Sequence, residues 1–566
     1  MRFPGKLIWI LLVFPFASLT ASTVVLNDPE YPGFNALAID QPAMDAVLLD
    51  DGEVIRQNGQ PVVFSAFIDT GASGVVLSFL QATGLHDVPS LGLRDDDYDG
   101  VFTEIGVGGE ELGNVSRPFG VGVYNESLRD GSLTDFDSFV DYGNHKLWVR
   151  RQPGLGEVID VNGLYLIPSP ANIIGMPVIR QRLMVMEVLP SPELDGLGVK
   201  GVQTRLLPRG ATNLPSTNIT LNLRLNDFIA EPPDGEILPS HSTNPVFDDV
   251  KITHTRGGGS STESGTWLFD TGAGSSFVSF EQALSIGLIP SGYETLDDFV
   301  DDHDAAGGMV TEIGGVGENQ VRVPVLDLDE IRMSTADGFD IVWRKVAVLV
   351  MDIPELAELG LDGIFGMNLL APAVTLDAAN LDDLDALLES LLDTSPEAFD
   401  AGIFEVIDDE RAELRLYSPR ASDQIATFGG FFEWRRSAFS AGQINNAAVS
   451  GPSGDPDRDG IPNLMEYAVG LNPLFPSREG LPENGTKTMD GEEFLTLTFS
   501  RSKAATDIDY IPEVSSDLVR WDSGEAAVEV LDRLDHGDFE TVTVRDRKPI
   551  RENRQRFIRL RVEQAK

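Results

Sequence analysis

The chain contains no cysteine and only six histidines. Disulfide bonds and a cysteine nucleophile are therefore excluded. The histidines are scattered, and none falls in the His-x-x-x-His spacing of a metal site. The sequence also lacks Gly-x-Ser-x-Gly, so the nucleophile elbow of the α/β-hydrolases is not expected.

Basic residues are scarce as well. Lys and Arg total 42 against 90 Asp and Glu, which gives a formal net charge of −48. Because nucleic-acid-binding proteins need a basic face, this balance argues against a nucleic-acid partner. Hydrophobic residues make up 42% of the 566 positions, which is enough for several cores and suggests three or four domains.

Long apolar runs are limited to the N-terminus. Arg2 and Lys6 precede an apolar run from Leu7 to Leu19, and small residues follow through Ala21. This layout predicts a signal peptide cleaved near Ala21, with an uncleaved anchor as the weaker alternative. No membrane span is expected after cleavage. An exported chain without cysteine fits a bacterial periplasmic, cell-surface or secreted protein.

The sequence does contain Asp-Thr-Gly-Ala twice, at 69–72 and 270–273. Each copy follows an apolar stretch, so each is predicted to lie where a buried strand ends and a turn begins. Equivalent turns would bring Asp69 and Asp270 together across a pseudo-two-fold axis. Two carboxyls that share one proton supply a general base and a general acid at the same pH.

The remaining motif residues are predicted to support that pair. The hydroxyls of Thr70 and Thr271 are expected to bond the opposing turns. Glycine at 71 and 272 is expected to permit positive φ and a close approach of the backbone to the carboxylates.

The repeat extends beyond the motif. Both copies continue into a Ser-Phe-x-Gln-Ala segment, then an acidic stretch, then Thr-Glu-Ile-Gly at 103–106 and 311–314. Both close on two apolar residues and glycine, at 173–175 and 364–366. An internal duplication of one all-β lobe explains this order.

These motifs resemble those of the aspartic proteases, in particular the retropepsin-like branch. The resemblance implies an endopeptidase that acts on protein or peptide substrates without a catalytic cofactor. It implies two lobes in one chain, so a homodimer is not required for catalysis. Gly-rich flaps are implied around Ile105 and Gly106 and around Ile313 and Gly314, and ordinary hairpin turns are the alternative for these glycines.

A second function remains open at this point. Duplicated lobes can lose catalysis and persist as a peptide-binding or adhesion protein that uses the groove between them. Both Asp-Thr-Gly copies are complete here, which favours an active enzyme. The acidic stretches before the flaps are interpreted as solvated loops.

The last third of the chain carries a different motif, with acidic residues at the positions of an EF-hand-type loop. Gly460 occupies the sixth position, where such a loop turns sharply. The pattern predicts a structural Ca²⁺ site, and an acidic linker with this spacing by chance is the alternative. The predicted metal ligands are Asp455, Asp457, Asp459, Ile461 and Glu466.

The sequence thus predicts a mostly β protein, with two pseudo-symmetric acid-protease β lobes and a small C-terminal β-sandwich. A leucine pattern at 381–392 also predicts an amphipathic helix packed on the second lobe. The expected organisation is a signal peptide (1–21), lobe one (22–195), an interlobe insertion (196–250), lobe two (251–420), a linker with the Ca²⁺ loop (421–485) and the sandwich (486–566).

Overall fold

The fold is described from a computed structural model of the chain. The described residues are 23–26, 35–84, 90–106, 109–128, 131–153, 159–161, 164–166, 172–190, 200–228, 232, 234–314, 320–352, 360–374, 395–425, 428, 430–444, 447–478, 480–552 and 555–564. The predicted signal peptide, the glycines of the second flap at 315 and 317, and the predicted leucine-rich helix lie outside them.

The expectation of a mostly β fold is confirmed, with 48% strand and 13% helix. The chain divides into two compact units. The described residues within Val24–Thr335 and Asp340–Ser422 form the larger unit, and those within Ala336–Phe339 and Asp423–Lys566 form the smaller. None of the helices in the described part of the chain has the length and apolar character needed to span a membrane.

The larger unit is built mainly from strands. They are β1 Thr23–Val25, β2 Leu37–Ala38, β3 Ala43–Asp50, β4 Glu53–Val54, β5 Arg56–Gln57, β6 Gln60–Pro61, β7 Phe64–Ile68, β8 Val75–Leu77, β9 Tyr98–Gly106, β10 Gly109–Val123, β11 Val140–Val149, β12 Ile159–Val161, β13 Leu164–Leu166, β14 Ile173–Ile174, β15 Leu183–Pro190, β16 Lys200–Leu207, β17 Ile219–Asn226, β18 Asn244–Arg256, β19 Gly259–Phe269, β20 Phe277–Ser279, β21 Val310–Ile313, β22 Val321–Ser334, β23 Asp340–Met351, β24 Gly363–Phe365, β25 Ala373–Val374, β26 Ala401–Val406 and β27 Arg411–Tyr417. Its helices are α1 Phe79–Thr83, α2 Met176–Ile179, α3 Phe280–Ser285, α4 Leu296–Ala305 and α5 Pro419–Ile425.

A six-stranded barrel forms in the first half of this unit. Its strands pair in the closed order β3-β7-β14-β8-β11-β10, and a β10–β3 pairing completes the ring. The alternating burial of β7, with Phe64, Ala66 and Ile68 inside, is the period-two pattern of a strand that covers a core. The sheet β7-β14-β8 delivers Asp69 at the end of β7.

Strands in the second half pair in the same cyclic order, β18-β19-β24-β20-β23-β22, closed by a β18–β22 pairing. The short strand β24 runs parallel to β19 and antiparallel to β20, as β14 runs parallel to β7 and antiparallel to β8. Asp270 follows β19 as Asp69 follows β7.

A short helix follows each Asp-Thr-Gly loop because the repeated Ser-Phe-x-Gln sequence caps it. The Ser78 hydroxyl accepts a hydrogen bond from Gln81 N at the start of α1. Ser279 and Gln282 make the same contact at the start of α3. A serine N-cap satisfies an amide that the first helical turn leaves unpaired.

Strands β16 and β17 lie within 196–250, the interval that the sequence assigned to an interlobe insertion. They pair in the order β16-β15-β26-β27-β17-β18, within the same sheet as the strands of the second half. The strand β18 also begins within that interval, at Asn244. The described part of 196–250 is thus integral to the unit. Its partners lie far away in sequence, so local patterns do not reveal them.

The smaller unit contains two antiparallel sheets with a shared core. The strands are β28 Glu483–Met489, β29 Glu492–Ser502, β30 Ile508–Ser515, β31 Asp522–Ser523, β32 Val528–Asp535, β33 Phe539–Asp546 and β34 Phe557–Gln564. They form a four-stranded sheet, β28-β29-β33-β32, and a three-stranded sheet, β31-β30-β34. The helices are α6 Phe431–Ala438, α7 Ala441–Ile444, α8 Ala447–Ser450 and α9 Asn463–Val469.

The predicted linker belongs to this smaller unit. Phe431, Met465 and Tyr467 lie in one buried cluster with Leu497 and Val544 of the four-stranded sheet. Burial of large aromatic and aliphatic side chains is the main favourable contribution to such packing. The region around the predicted Ca²⁺ loop is therefore packed onto the sheets.

Candidate active site

The structure brings Asp69 and Asp270 together. The two carboxyl groups lie against each other, and each acts on the ionisation of the other. Asp69 is buried, and Asp270 is half-buried. The main chain fixes both residues in the same way. Asp69 N donates to Ile174 O and Asp270 N donates to Phe365 O, each at 3.1 Å.

The two threonines join the loops through reciprocal hydrogen bonds. Thr70 Oγ1 donates to Phe269 O at 2.7 Å, and Thr271 Oγ1 donates to Ile68 O at 2.6 Å. Each hydroxyl also accepts from the main-chain N of the opposite threonine at 3.1 Å. Both threonines are fully buried, so water does not compete for these bonds.

Main-chain amides hold each carboxylate. Gly71 N and Ala72 N donate to Asp69 Oδ1 at 2.7 and 3.1 Å. The second loop repeats this contact. Its donors to Asp270 Oδ1 are Gly272 N at 2.8 Å and Ala273 N at 3.0 Å.

The motif glycines allow the backbone of each loop to approach the carboxyl of the opposite loop. The expectation of positive φ at these positions is wrong. A Cβ at Gly71 would lie 2.4 Å from Asp270 Cγ, and one at Gly272 would lie 2.2 Å from Asp69 Oδ2. Each glycine faces the carboxyl of the other loop. Glycine is therefore required here because any side chain would clash with the carboxyl of the other loop. Local sequence does not reveal this contact.

Replacing Gly272 by Ala is expected to abolish the dyad geometry, because the new methyl group would displace the Asp69 carboxyl. Overpacking of this kind costs about 1–3 kcal/mol of unfolding free energy. Denaturant unfolding and NMR titration of the two aspartate carboxyls would measure both effects. Gly259→Ala is the control, since its nearest neighbour would be 3.8 Å away. Parent-like stability and carboxyl titration in Gly272→Ala would contradict the assigned packing.

The repeated apolar-apolar-Gly segments lie against the loops. A Cβ at Gly175 would be 2.3 Å from Ala72 O, and one at Gly366 would be 2.1 Å from Ser275 O. The following amides donate to the same loops, Met176 N to Ala72 O at 3.0 Å and Met367 N to Ala273 O at 2.9 Å.

Burial is the main influence on both carboxyl groups, and it raises the pKa of each above its ordinary value. The negative charge of Asp69 and a hydrogen bond to it raise the pKa of Asp270 further. Hydrogen bonds from the loop amides oppose the rise. The pair therefore retains one proton at a pH where isolated carboxyls are ionised, which leaves one base and one acid side by side.

The predicted flap residues lie in two hairpins. Ile105 and Gly106 end β9, and Gly106 pairs with Gly109 of β10. Ile313 ends β21 and pairs with Val321 of β22, while Gly314 follows directly. The hairpins are thus present, and their closure over the carboxyl pair remains a prediction.

Two side-chain amides beside the loops were missed by the sequence reasoning. The Asn244 amide donates to the carbonyls of Thr70 and Gly71, and the Gln41 amide donates to the carbonyl of Gly272. Both amide residues directly precede a proline. That shared Asn/Gln-Pro step at the start of a barrel strand is the signal that the sequence offered.

The predicted metal ligands Asp455, Asp457 and Asp459 converge, with one carboxylate oxygen of each lying within 4.8 Å of the others. Glu466 is completely buried, and neither of its side-chain oxygens has a hydrogen-bond partner. Burial and then the charges of the three aspartates raise the pKa of Glu466 to about 8. An orphaned buried carboxylate facing three others fits a cation with hard oxygen ligands such as Ca²⁺.

The fifth predicted ligand, Ile461, follows Gly460, whose φ of 89° makes the turn that the loop requires. Ile461 N donates to Asp459 Oδ1 at 2.9 Å, so its own main chain lies against the cluster. Its side chain is buried in the core of the smaller unit.

No protein-family model matches this chain, and no curated protein matches it.

Proposed function

We propose that the protein is an exported aspartic endopeptidase that hydrolyses peptide bonds with a water activated by Asp69 and Asp270. The observation that supports this proposal is the pair of adjacent carboxyl groups, each held by equivalent loop amides, on two loops joined by reciprocal threonine hydrogen bonds. Two similar acids whose ionisation is mutually exclusive are suited to a reaction that needs a base and an acid together.

The proposed reaction proceeds without a covalent intermediate. The ionised carboxylate removes a proton from water as the water oxygen attacks the scissile carbonyl carbon. The protonated carboxyl gives its proton to the carbonyl oxygen, which forms a neutral gem-diol. One gem-diol proton then returns to a carboxylate and the other carboxyl protonates the leaving nitrogen. The C–N bond breaks, and the pair again holds one proton.

The wider architecture supports the same proposal. The two rings, with β3, β7 and β14 in one and β18, β19 and β24 in the other, pair in the same order, as expected for pseudo-symmetric lobes from a duplication. The hairpins ending at Gly106 and following Ile313 would cover an extended substrate and offer it main-chain partners. A homodimer is not needed because one chain supplies both carboxyls.

We further propose a structural Ca²⁺ in the smaller unit, held by Asp455, Asp457, Asp459, the carbonyl of Ile461 and Glu466. The orphaned Glu466 carboxylate supports it. The ion would neutralise the acidic cluster and take no part in peptide hydrolysis.

Cleavage of an unbiased peptide mixture by the full chain across pH tests the proposed function. Cleavage that pepstatin, a mimic of the gem-diol, abolishes is the expected result. A folded protein that leaves every peptide intact would overturn the proposal and favour a peptide-binding role instead. Cleavage insensitive to pepstatin but blocked by a metal chelator would also overturn it.

A further inference from the structure

We infer that Asn244 and Gln41 are positioning residues for the carboxyl pair. We further infer that Asn244 holds the first loop more firmly than Gln41 holds the second, and that this difference makes Asp69 the ionised member. This inference rests on the proposed function for its kinetic consequences. Its structural part concerns which carboxyl carries the proton and is measurable without turnover.

The two amides occupy equivalent places in the two halves. Gln41 precedes Pro42 just before β3, and Asn244 precedes Pro245 at the start of β18. Each reaches the loop of the other half, Gln41 to Gly272 O and Asn244 to Gly71 O. A following proline restricts the backbone of the preceding residue to extended conformations, which limits the directions its side chain can take.

Asn244 acts on both peptide groups that face Asp69. Its Nδ2 donates to Thr70 O and to Gly71 O, each at 3.0 Å. Those carbonyls belong to the same planar peptide groups as Gly71 N and Ala72 N, the two donors to Asp69 Oδ1. Because a peptide group is rigid, holding its oxygen also aims its N–H. Hydrogen bonds in such a chain also polarise one another.

The orientation of the Asn244 amide is itself fixed. Ser73 Oγ donates to Asn244 Oδ1 at 2.6 Å, which leaves Nδ2 facing the loop carbonyls. The side chain is fully buried, so no water competes with these bonds. The first loop is therefore held at two carbonyls by an amide of one defined orientation.

The second loop is held less firmly by Gln41 than the first loop is by Asn244. Gln41 is only half-buried and donates to a single carbonyl, that of Gly272. The position that corresponds to Ser73 is Gly274, which has no hydroxyl to orient an amide. A glutamine also has one more rotatable bond than an asparagine, so ordering it costs more conformational entropy.

This difference assigns the proton. A carboxylate is stabilised in its charged form by well-aimed N–H donors, and Asp69 faces the better-held pair. The groups that act most strongly on either carboxyl are burial, the partner carboxyl and its own loop amides, and for Asp69 the amide of Gly272 in the other loop as well. With Asp69 ionised, Asp270 carries the shared proton. Asp69 would then take the proton from water, and Asp270 would donate to the substrate carbonyl.

The test compares Asn244→Ala, Gln41→Ala and Ser73→Ala with the control Asn218→Ala. Asn218 also donates its amide to a main-chain carbonyl, Ser418 O, but lies away from the loops. In Asn244→Ala the apparent pKa of the acidic limb of the kcat/KM profile is expected to increase by about one unit. A shift of this size corresponds to one weakened hydrogen bond to a charged group. KM should change less than about twofold if only charge stabilisation is lost. Gln41→Ala and Ser73→Ala should move the limb less, and Asn218→Ala not at all.

Titration of ¹³C-labelled aspartate carboxyls by NMR gives a second readout that needs no activity. Signals are assigned with the Asp69→Asn and Asp270→Asn variants. The inference is supported if Asp69 ionises at lower pH than Asp270 in the parent and if the difference between their ionisation pH values narrows in Asn244→Ala. This result would count even in a protein without peptidase activity. Asp270 ionising first, or equal effects of Asn244→Ala and Gln41→Ala, would overturn it. If Asn244→Ala fails to fold, an unchanged order and gap in Ser73→Ala would overturn it too.

Discussion

Asp69→Asn and Asp270→Asn are each expected to lower kcat/KM for peptide hydrolysis by at least about 10³-fold, near the upper range for one lost proton-transfer group. An amide cannot accept the water proton or donate an acidic one. Both variants should fail to a similar degree because the pair acts as one unit, and the double variant should be little worse than either. Initial rates with a cleaved peptide as substrate would measure this.

The same substitutions also test whether the defect is chemical. Asparagine matches aspartate in size, so the threonine bonds that join the loops should persist. Asp362→Asn is a suitable control, since its carboxylate accepts a hydrogen bond from Thr266 N of β19, at 2.8 Å, rather than from a dyad loop. A single dyad variant that keeps parent-like turnover would eliminate the proposed mechanism.

Asp270→Asn should also raise the unfolding free energy near neutral pH. The folded-state pKa of Asp270 lies well above its ordinary value because of burial and the charge of Asp69. A raised pKa stabilises the fold below the unfolded-state pKa, and that stability is lost as pH rises through the folded-state value. The Asn variant lacks this carboxyl and should therefore not lose stability in this way as pH rises. The denaturant midpoint should fall less between acidic and neutral pH for the variant than for the parent.

Removing Ca²⁺ is expected to destabilise the smaller unit strongly. A ligand that binds only the folded state at about 1,000 times its Kd adds about 4 kcal/mol to the unfolding free energy. Without the cation, the three converging aspartates would repel one another and would act on the completely buried carboxyl of Glu466. Thermal unfolding with Ca²⁺ and with a chelator would show a lower transition temperature in the chelated protein.

Glu466→Gln separates this site from general ionic effects. The amide keeps the shape of the side chain but removes the bidentate charged ligand, so the response to Ca²⁺ should largely disappear. The chelated variant should be more stable than the chelated parent, because an uncompensated buried carboxylate has been removed. Glu433→Gln, at an exposed position of α6, should respond to Ca²⁺ as the parent does. Equal stability of the parent with and without Ca²⁺ would rule out the site.

Short-range chemistry explains which features were predictable. The two Asp-Thr-Gly-Ala copies, their apolar strands and the Ser-capped helices are each encoded within about a dozen residues, so the sequence located them. The Ca²⁺ loop was readable for the same reason, since its acidic ligands and turn glycine fall within twelve positions. The strand β16, in contrast, is recognisable only through its pairing with β15.

By itself, the sequence determined the mostly β character, the repeated motifs, the candidate residues Asp69 and Asp270, and the acidic loop that ends at Glu466. Tertiary structure alone decided what those residues touch. It showed that Gly71 and Gly272 face the opposite carboxyls, that Asn244 and Gln41 brace the loops, and that Glu466 has no partner. The physical reason is that motifs record local backbone preferences, while close approach, burial and unequal hydrogen bonding arise between residues as far as 231 positions apart.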